Sequence, residues 1–164
     1  MPKPIHPLAQ ATLVAALTVG SAVASAETLT LTTINAPAHW SETQGHVPFM
    51  ACVKDATKGG IDFKYFHSSS LATVPTSLDV LNKGVAQISF IAPTGLSDKF
   101  PINNIPILPG IGDNVVQMVK AYRKVVNNPN SPYSKELASL GVKPLILNVF
   151  PPYQLMARRE GMKT

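Results

Sequence analysis

The sequence predicts an α/β lobe built on a small parallel sheet. Apolar residues recur with alternating period, first two and then 3.6, giving strand, helix, strand, helix and strand between Leu29 and Ile91. That alternation over short links is the signature of parallel strands joined by right-handed crossovers. Composition agrees: 45% of the 164 residues are hydrophobic and 14% are charged, against about 25% charged in ordinary soluble domains. Disorder is excluded for most of the chain. Fifteen prolines and ten glycines, spread without a short period, mark many turns and exclude collagen and coiled coil. The single cysteine, Cys52, excludes an internal disulfide and a thiolate zinc framework.

The first strand comes from Leu29 and Leu31 alternating with Thr30 and Thr32 through Ile34, and ends near Asn35. Between Pro48 and Lys58, Phe49, Cys52, Val53 and Ala56 form one apolar helical face, stopped by Gly59-Gly60. Ile61, Phe63 and Tyr65 give the second strand, closed by His67 and the serines Ser68, Ser69 and Ser70. Pro75 opens a short helix with Val74, Leu78 and Leu81 on one face and Gly84 as its left-handed C-terminal cap. Val85 to Ile91 is near-continuously apolar, as suits a third strand covered on both faces. The first strand is expected between the other two, so that successive crossovers cover opposite faces.

From Ala92 to Gly112, four prolines and no usable period predict a long loop over the surface. Asp113 is the expected cap of a helix carrying Val115, Met118, Val119, Tyr122 and Val126, which Asn127-Asn128-Pro129 ends. Tyr133 to Leu140 reads as another short helix, and Leu145 to Phe150 and Gln154 to Ala157 read as strands around Pro151-Pro152.

Residues 1–26 read as a secretory signal peptide: Met1-Pro2-Lys3, an apolar run from Ala11 to Gly20, then Ala24-Ser25-Ala26 before the polar Glu27. Beyond it there is no apolar window of about 18 residues, so no further membrane span is expected. Export points to the periplasm. Without Lys3, 13 basic residues face nine acids, a net +4 over 138 residues. Lys54, Lys58, Lys64, Lys120, Arg123, Lys124, Arg158 and Arg159 are dispersed and not interleaved with aromatics, which argues against nucleic acid as a partner.

Nothing in the sequence demands an enzyme. It has no Gly-x-Ser-x-Gly elbow, and His6, His39, His46 and His67 lack metal-ligand spacing, so neither catalytic residues nor a metal site are assigned. Gly110-Ile111-Gly112 precedes a helix, but Val115 holds the third glycine position and no P-loop lysine follows, so no cofactor is implied. What remains is positional, because open parallel sheets bind ligands outside the carboxyl ends of their strands. Three such ends are Asn35 to Trp40, His67 to Leu71 and Phe90 to Thr94, which combine polar hooks with apolar walls suited to a small ligand. Candidate ligand contacts are therefore Asn35, His39, Trp40, Ser70, Phe90, Ile91, Ala92 and Thr94. Trp40 can stack on a ligand or pack on the loop, and Phe90 also suits the core.

The ordered segments Thr57-Lys58-Gly59-Gly60-Ile61, Phe66-His67-Ser68-Ser69-Ser70-Leu71, Leu81-Asn82-Lys83-Gly84-Val85-Ala86-Gln87-Ile88 and Ile107-Leu108-Pro109-Gly110, with the strand ending at Asn35, carry a resemblance. In them the chain resembles the periplasmic solute-binding subunits of TRAP transporters, the C4-dicarboxylate-binding-like family. The resemblance implies a periplasmic-binding-protein-like lobe, one of two in a clamshell that captures an organic acid and delivers it to TRAP permease subunits. It also implies that Asn35 and Phe90-Ile91-Ala92 line the pocket. Val74 stands where some sialic-acid-type members carry an acid, and Ala92 stands where they carry a solute-contacting carboxylate, so a sugar acid is disfavoured. The family's carboxylate-binding arginine falls beyond Thr164, so an N-terminal portion is expected: signal peptide 1–26, first lobe 27–157, and the start of a crossover at 158–164. A secreted α/β enzyme or a non-transport interaction module is the alternative. Without that arginine, a charged hydrogen bond of roughly 1.5–3 kcal/mol is lost, and the chain alone is expected to bind acids no better than millimolar.

Signal peptidase is expected to cut after Ala26, where small residues occupy positions 24 and 26. Mass spectrometry of the exported protein checks this; an uncut, membrane-held chain is the contrary result.

Overall fold

A computed structural model describes residues 26–149. Residues 1–25 of the expected signal peptide, the strand expected at Gln154–Ala157, the end of the first lobe at 157 and the crossover at 158–164 lie outside those residues. Among the described residues, three strands form one sheet: β1 (Glu27–Thr32), β2 (Ile61–Phe66) and β3 (Ile88–Ser89). Their order is β2-β1-β3 and both pairings are parallel. The first strand is central, as the crossover argument requires. Its register runs from Glu27 opposite Ile61 to Thr32 opposite Phe66, and from Leu31 opposite Ile88 to Thr32 opposite Ser89. Leu31 and Thr32 are buried where β1 is flanked on both sides.

The crossover from β1 to β2 passes through a π-helical turn (Glu42–His46) that continues into α1 (Val47–Ala56). The inward stripe of α1 is Phe49, Met50 and Val53, continued by Thr57, while Cys52 and Ala56 are exposed. The apolar face expected from the sequence is thus rotated by about one residue. Both phases have helical spacing, and packing against β2 selects the one that sets the Phe49 ring 6.1 Å from that of Phe63. Gly59 at φ +79° ends the turn after α1 in the left-handed conformation that glycine adopts without strain. The Thr57 hydroxyl donates to the Val53 carbonyl and accepts the Ile61 N–H at 3.0 Å, which fixes the entry to β2.

The second crossover carries α2 (Ser77–Asn82), and Gly84 at φ +69° is the left-handed cap expected there. The third strand is much shorter than the expected Val85–Ile91. The Val85 and Ala86 N–H groups are drawn back to the Val80 carbonyl at 2.9 and 3.1 Å, as part of the helix end. At Gln87 the side chain substitutes for a ladder carbonyl: its Oε1 accepts the Thr30 N–H at 2.9 Å. An apolar run shows burial, and cannot show that its first residues are consumed in a cap.

The segment after β3 does not simply wander over the surface. It forms two 3₁₀ turns (Pro93–Leu96 and Ile105–Ile107) and contributes Phe100, 1% exposed, and the buried Asn103 to the core. A Cβ on Gly95 would lie 2.2 Å from Val74 Cγ1, so only glycine allows this loop to approach the turn before α2. Helix α3 (Val115–Val126) is capped by Asn114, whose side chain accepts the Gln117 N–H, and not by Asp113. One step in phase decides this: Asn114 is extended at φ −110°, the backbone a cap needs. Ser131 caps α4 (Pro132–Ser139) with Pro132 in its first turn, and Met118 and Val126 are the buried side of α3. Leu145–Val149, the described part of an expected strand, is not a strand. Leu145 and Ile146 are exposed, and among the described residues no strand pairs with them.

Phe100→Ala is expected to cost about 3–5 kcal/mol, the usual range for emptying a buried aromatic site. Leu108→Ala, at an exposed position on the same loop, should stay within about 0.5 kcal/mol of the parent. Urea unfolding of both variants checks the contrast.

Candidate functional site

At the carboxyl end of β1 the chain buries a carboxylate. Glu42 is 0% exposed and is enclosed by donors from three directions. Thr33, just past β1, donates its hydroxyl to Oε1 at 2.8 Å, and Asn35 Nδ2 donates to Oε1 at 3.0 Å. From β2, the Tyr65 hydroxyl donates to Oε2 at 2.6 Å; one turn along its own helix, His46 Nδ1 meets Oε2 at 2.8 Å. Burial alone would raise the Glu42 carboxyl, but the hydrogen bonds from Tyr65, His46, Asn35 and Thr33 outweigh it and hold it below the usual carboxylate range. The Tyr65 hydroxyl is pushed well above the usual phenol range by burial and by its bond to that carboxylate.

A polar chain extends outward from this centre. Asn35 Nδ2 also donates to Ser41 Oγ at 2.9 Å, and Ser41 Oγ lies 2.7 Å from His39 Nδ1. The Asn35 carbonyl accepts the Ser68 N–H at 2.8 Å, and the Thr33 carbonyl accepts the Ser69 N–H at 3.2 Å. Ser68 and Ser69 sit at φ +54° and +58°, a left-handed turn that two non-glycine residues adopt beneath these bonds. One buried acid therefore ties the ends of β1 and β2 to the start of α1.

Beside it opens a cleft of about 750 Å³. Trp40, His46, Phe49, Phe90, Ile91 and Ala92 are among its lining residues. The His46 and Phe90 rings meet in a T-shaped arrangement with centroids 6.0 Å apart, and the Trp40 indole, half exposed, lies 5.6 Å from the His39 ring. A second polar cluster holds the loop that forms another part of the wall. The Glu136 carboxylate of α4 accepts the Ile102 and Asn103 N–H groups at 2.8 and 2.9 Å, and Asn103 Oδ1 accepts the Tyr122 hydroxyl at 2.6 Å. Burial, then the Glu136 charge and Tyr133, push Tyr122 up to about 12.

Of the residues expected to contact a ligand, Trp40, Phe90, Ile91, Ala92 and Thr94 lie together around this cleft. Asn35, His39 and Ser70 are not among its lining residues. Asn35 and His39 stand behind Ser41 in the polar chain, and Ser70 is exposed in the turn after β2. Sequence reasoning missed Glu42, His46 and Tyr65. The one visible signal was the i,i+4 spacing of Glu42 and His46, which places acid and imidazole on one helical face. Among the described residues, no three His, Cys, Asp or Glu side chains gather in a way that could hold a metal.

No protein-family model matches the sequence, and no curated protein does either. Solved structures do match the fold. A TRAP periplasmic solute-binding protein from a Sulfitobacter species, bound to β-D-galacturonate, superposes with a TM-score of 0.58 at 22% identity, over 70% of this chain and 37% of that one. An extracytoplasmic solute receptor of Bordetella pertussis that binds pyroglutamic acid gives 0.61 at 23% identity, over 71% and 37%. A marine metagenome TRAP solute-binding protein specific for aromatic acids, bound to 3-hydroxybenzoate, gives 0.63 at 18% identity, over 70% and 35%. The fold is that of one part of the TRAP periplasmic solute-binding proteins. The chain spans little more than a third of the length of these structures.

The folded Glu42 carboxyl titrates below its ordinary value of 4.5, so its stabilisation is complete above about pH 4.5 and is lost as pH falls through the folded value. Glu42→Gln should destabilise the fold by on the order of 1–3 kcal/mol at pH 7 and should lose less stability than the parent between pH 5 and pH 3. Urea midpoints across that range check both expectations; parallel profiles for the two proteins are the contrary result.

Proposed function

We propose that this chain captures a small organic acid in the periplasm, after export on residues 1–26, and serves a TRAP-type permease as a binding protein without catalytic activity. The observation that carries the reading is the cleft at the carboxyl ends of β1 and β3, on a fold shared with binding proteins for carboxylates. Galacturonate, pyroglutamate and 3-hydroxybenzoate, bound by three of those proteins, have only the carboxylate in common.

The walls favour an aromatic or apolar acid. Trp40, Phe49 and Phe90 offer ring faces and edges that suit a flat hydrophobic body. A sugar acid needs polar partners for each hydroxyl, and Ala92 in the lining supplies none. In this reading Trp40, Phe90, Ile91, Ala92 and Thr94 touch the solute. Asn35 and His39 shape the wall from behind, and Ser70 belongs to the rim.

Trp40 is the only tryptophan, so intrinsic fluorescence reports on this cleft. Sodium benzoate or 3-hydroxybenzoate should change its emission saturably at millimolar concentration. Galacturonate should bind at least about tenfold more weakly, and uncharged benzamide should produce no saturable change. A chain that responds to none of the acids contradicts the reading.

A further inference from the structure

The cleft contains a histidine whose proton is already assigned by the buried carboxylate behind it. Glu42 is ionised and completely enclosed, and a carboxylate only accepts hydrogen bonds. His46 Nδ1, 2.8 Å from Oε2, must therefore carry a hydrogen and donate it. The remaining ring nitrogen, Nε2, is a bare acceptor in the neutral imidazole and an N–H donor in the imidazolium. No hydrogen bond of the enclosing network uses Nε2: Thr33, Asn35 and Tyr65 all end on Glu42 itself. The His46 side chain is 13% exposed, and that exposure is to the cleft it lines next to Phe90.

Resting on the solute-capture reading, we propose that His46 is the residue that meets the carboxylate of the bound acid, and that binding is coupled to uptake of one proton at His46 Nε2. A ligand carboxylate also only accepts, so a neutral imidazole would set lone pair against lone pair. The proton enters from solvent or with the undissociated acid, and no bond other than N–H is made. The product is an imidazolium between two carboxylates, Glu42 behind and the solute in front, joined by charge-assisted hydrogen bonds. Glu42, held ionised by its other donors, compensates the new positive charge in a site walled by aromatic rings. The other titratable groups are Tyr65, which acts through the same carboxylate, and Tyr122 and Lys143 elsewhere in the lining. Neither tyrosine changes charge near neutral pH, since burial raises both. Lys143 is the alternative cation for the solute, and a carboxylate held there would leave the His46 ring nitrogens unmoved.

The test uses the purified chain labelled with ¹⁵N, sodium benzoate as the probe, and long-range ¹H–¹⁵N spectra of the histidine rings at pH 8. Free His46 should show the Nδ1–H tautomer. Benzoate should move His46 Nε2 towards its imidazolium position and leave His39 and His67 in place. Benzoate affinity, followed at Trp40, should fall as pH rises, by at most about tenfold per pH unit for one proton taken up, and His46→Gln should remove that slope. If Trp40 responds to benzoate while the His46 nitrogens stay still, or if the affinity is flat with pH, the proton coupling is overturned and solute capture stands. If benzoate moves neither Trp40 nor His46, both fall. Should His46→Gln not fold, the spectra and pH series on the parent chain decide alone.

Discussion

The enclosed Glu42 carboxylate is the constraint on which this end of the fold depends. An ionised acid withdrawn from water is costly unless nearly every lone pair meets a donor. Here the donors come from β2, from the residues just past β1 and from the helix that follows. Satisfying one side chain therefore fixes where β1 stops, how the π-helical turn enters α1 and how far β2 runs. The wider π turn places His46 against the Glu42 carboxylate, and a π-helical departure commonly marks a functional position. The serine turn at Ser68 and Ser69 is held in its left-handed conformation by the carbonyls of Asn35 and Thr33, so it inherits the same organisation.

The cleft stands on this scaffold at one side and on Glu136 at the other. Glu136 fastens the Ile102-Asn103 backbone to α4, and Asn103 passes the connection to Tyr122 on α3. One buried acid and one half-buried acid thus position walls that are mostly apolar. That division leaves a mostly apolar cleft with polar groups whose placement is set by partners behind the wall. Trp40 and Phe90 approach the cleft from neighbouring strand ends, which is where an open parallel sheet leaves room between diverging crossovers.

The sheet was legible in the sequence because its information is periodic. Leu29 and Leu31, Phe63 and Tyr65, and the glycine stops at Gly59 and Gly84 defined the strands, their parallel order and the ends of two helices. The irregular parts carry no period and were not legible. Phe100 and Asn103 occupy the core from a loop, Gln87 replaces a strand carbonyl with its side chain, and the cap of α3 fell one residue later than expected. The site divided in the same way. Strand-end geometry placed Trp40 and Phe90 to Thr94 at the cleft, whereas the Glu42 network joins residues up to 23 positions apart in the chain. Of the Glu42 partners Thr33, Asn35, His46 and Tyr65, His46 alone has a helical spacing, and a single acid in a polar segment gives no sign of burial.

The central claim is that the cleft beside Glu42 receives the carboxylate of a flat organic acid. A crystal structure of the chain grown with 3-hydroxybenzoate tests it most directly. The account predicts the ring against Trp40 and Phe90, with the carboxylate within hydrogen-bond distance of His46 Nε2 and with Glu42 still enclosed. The acid bound elsewhere on the molecule, or lying in the cleft with its carboxylate turned away from His46, would contradict it.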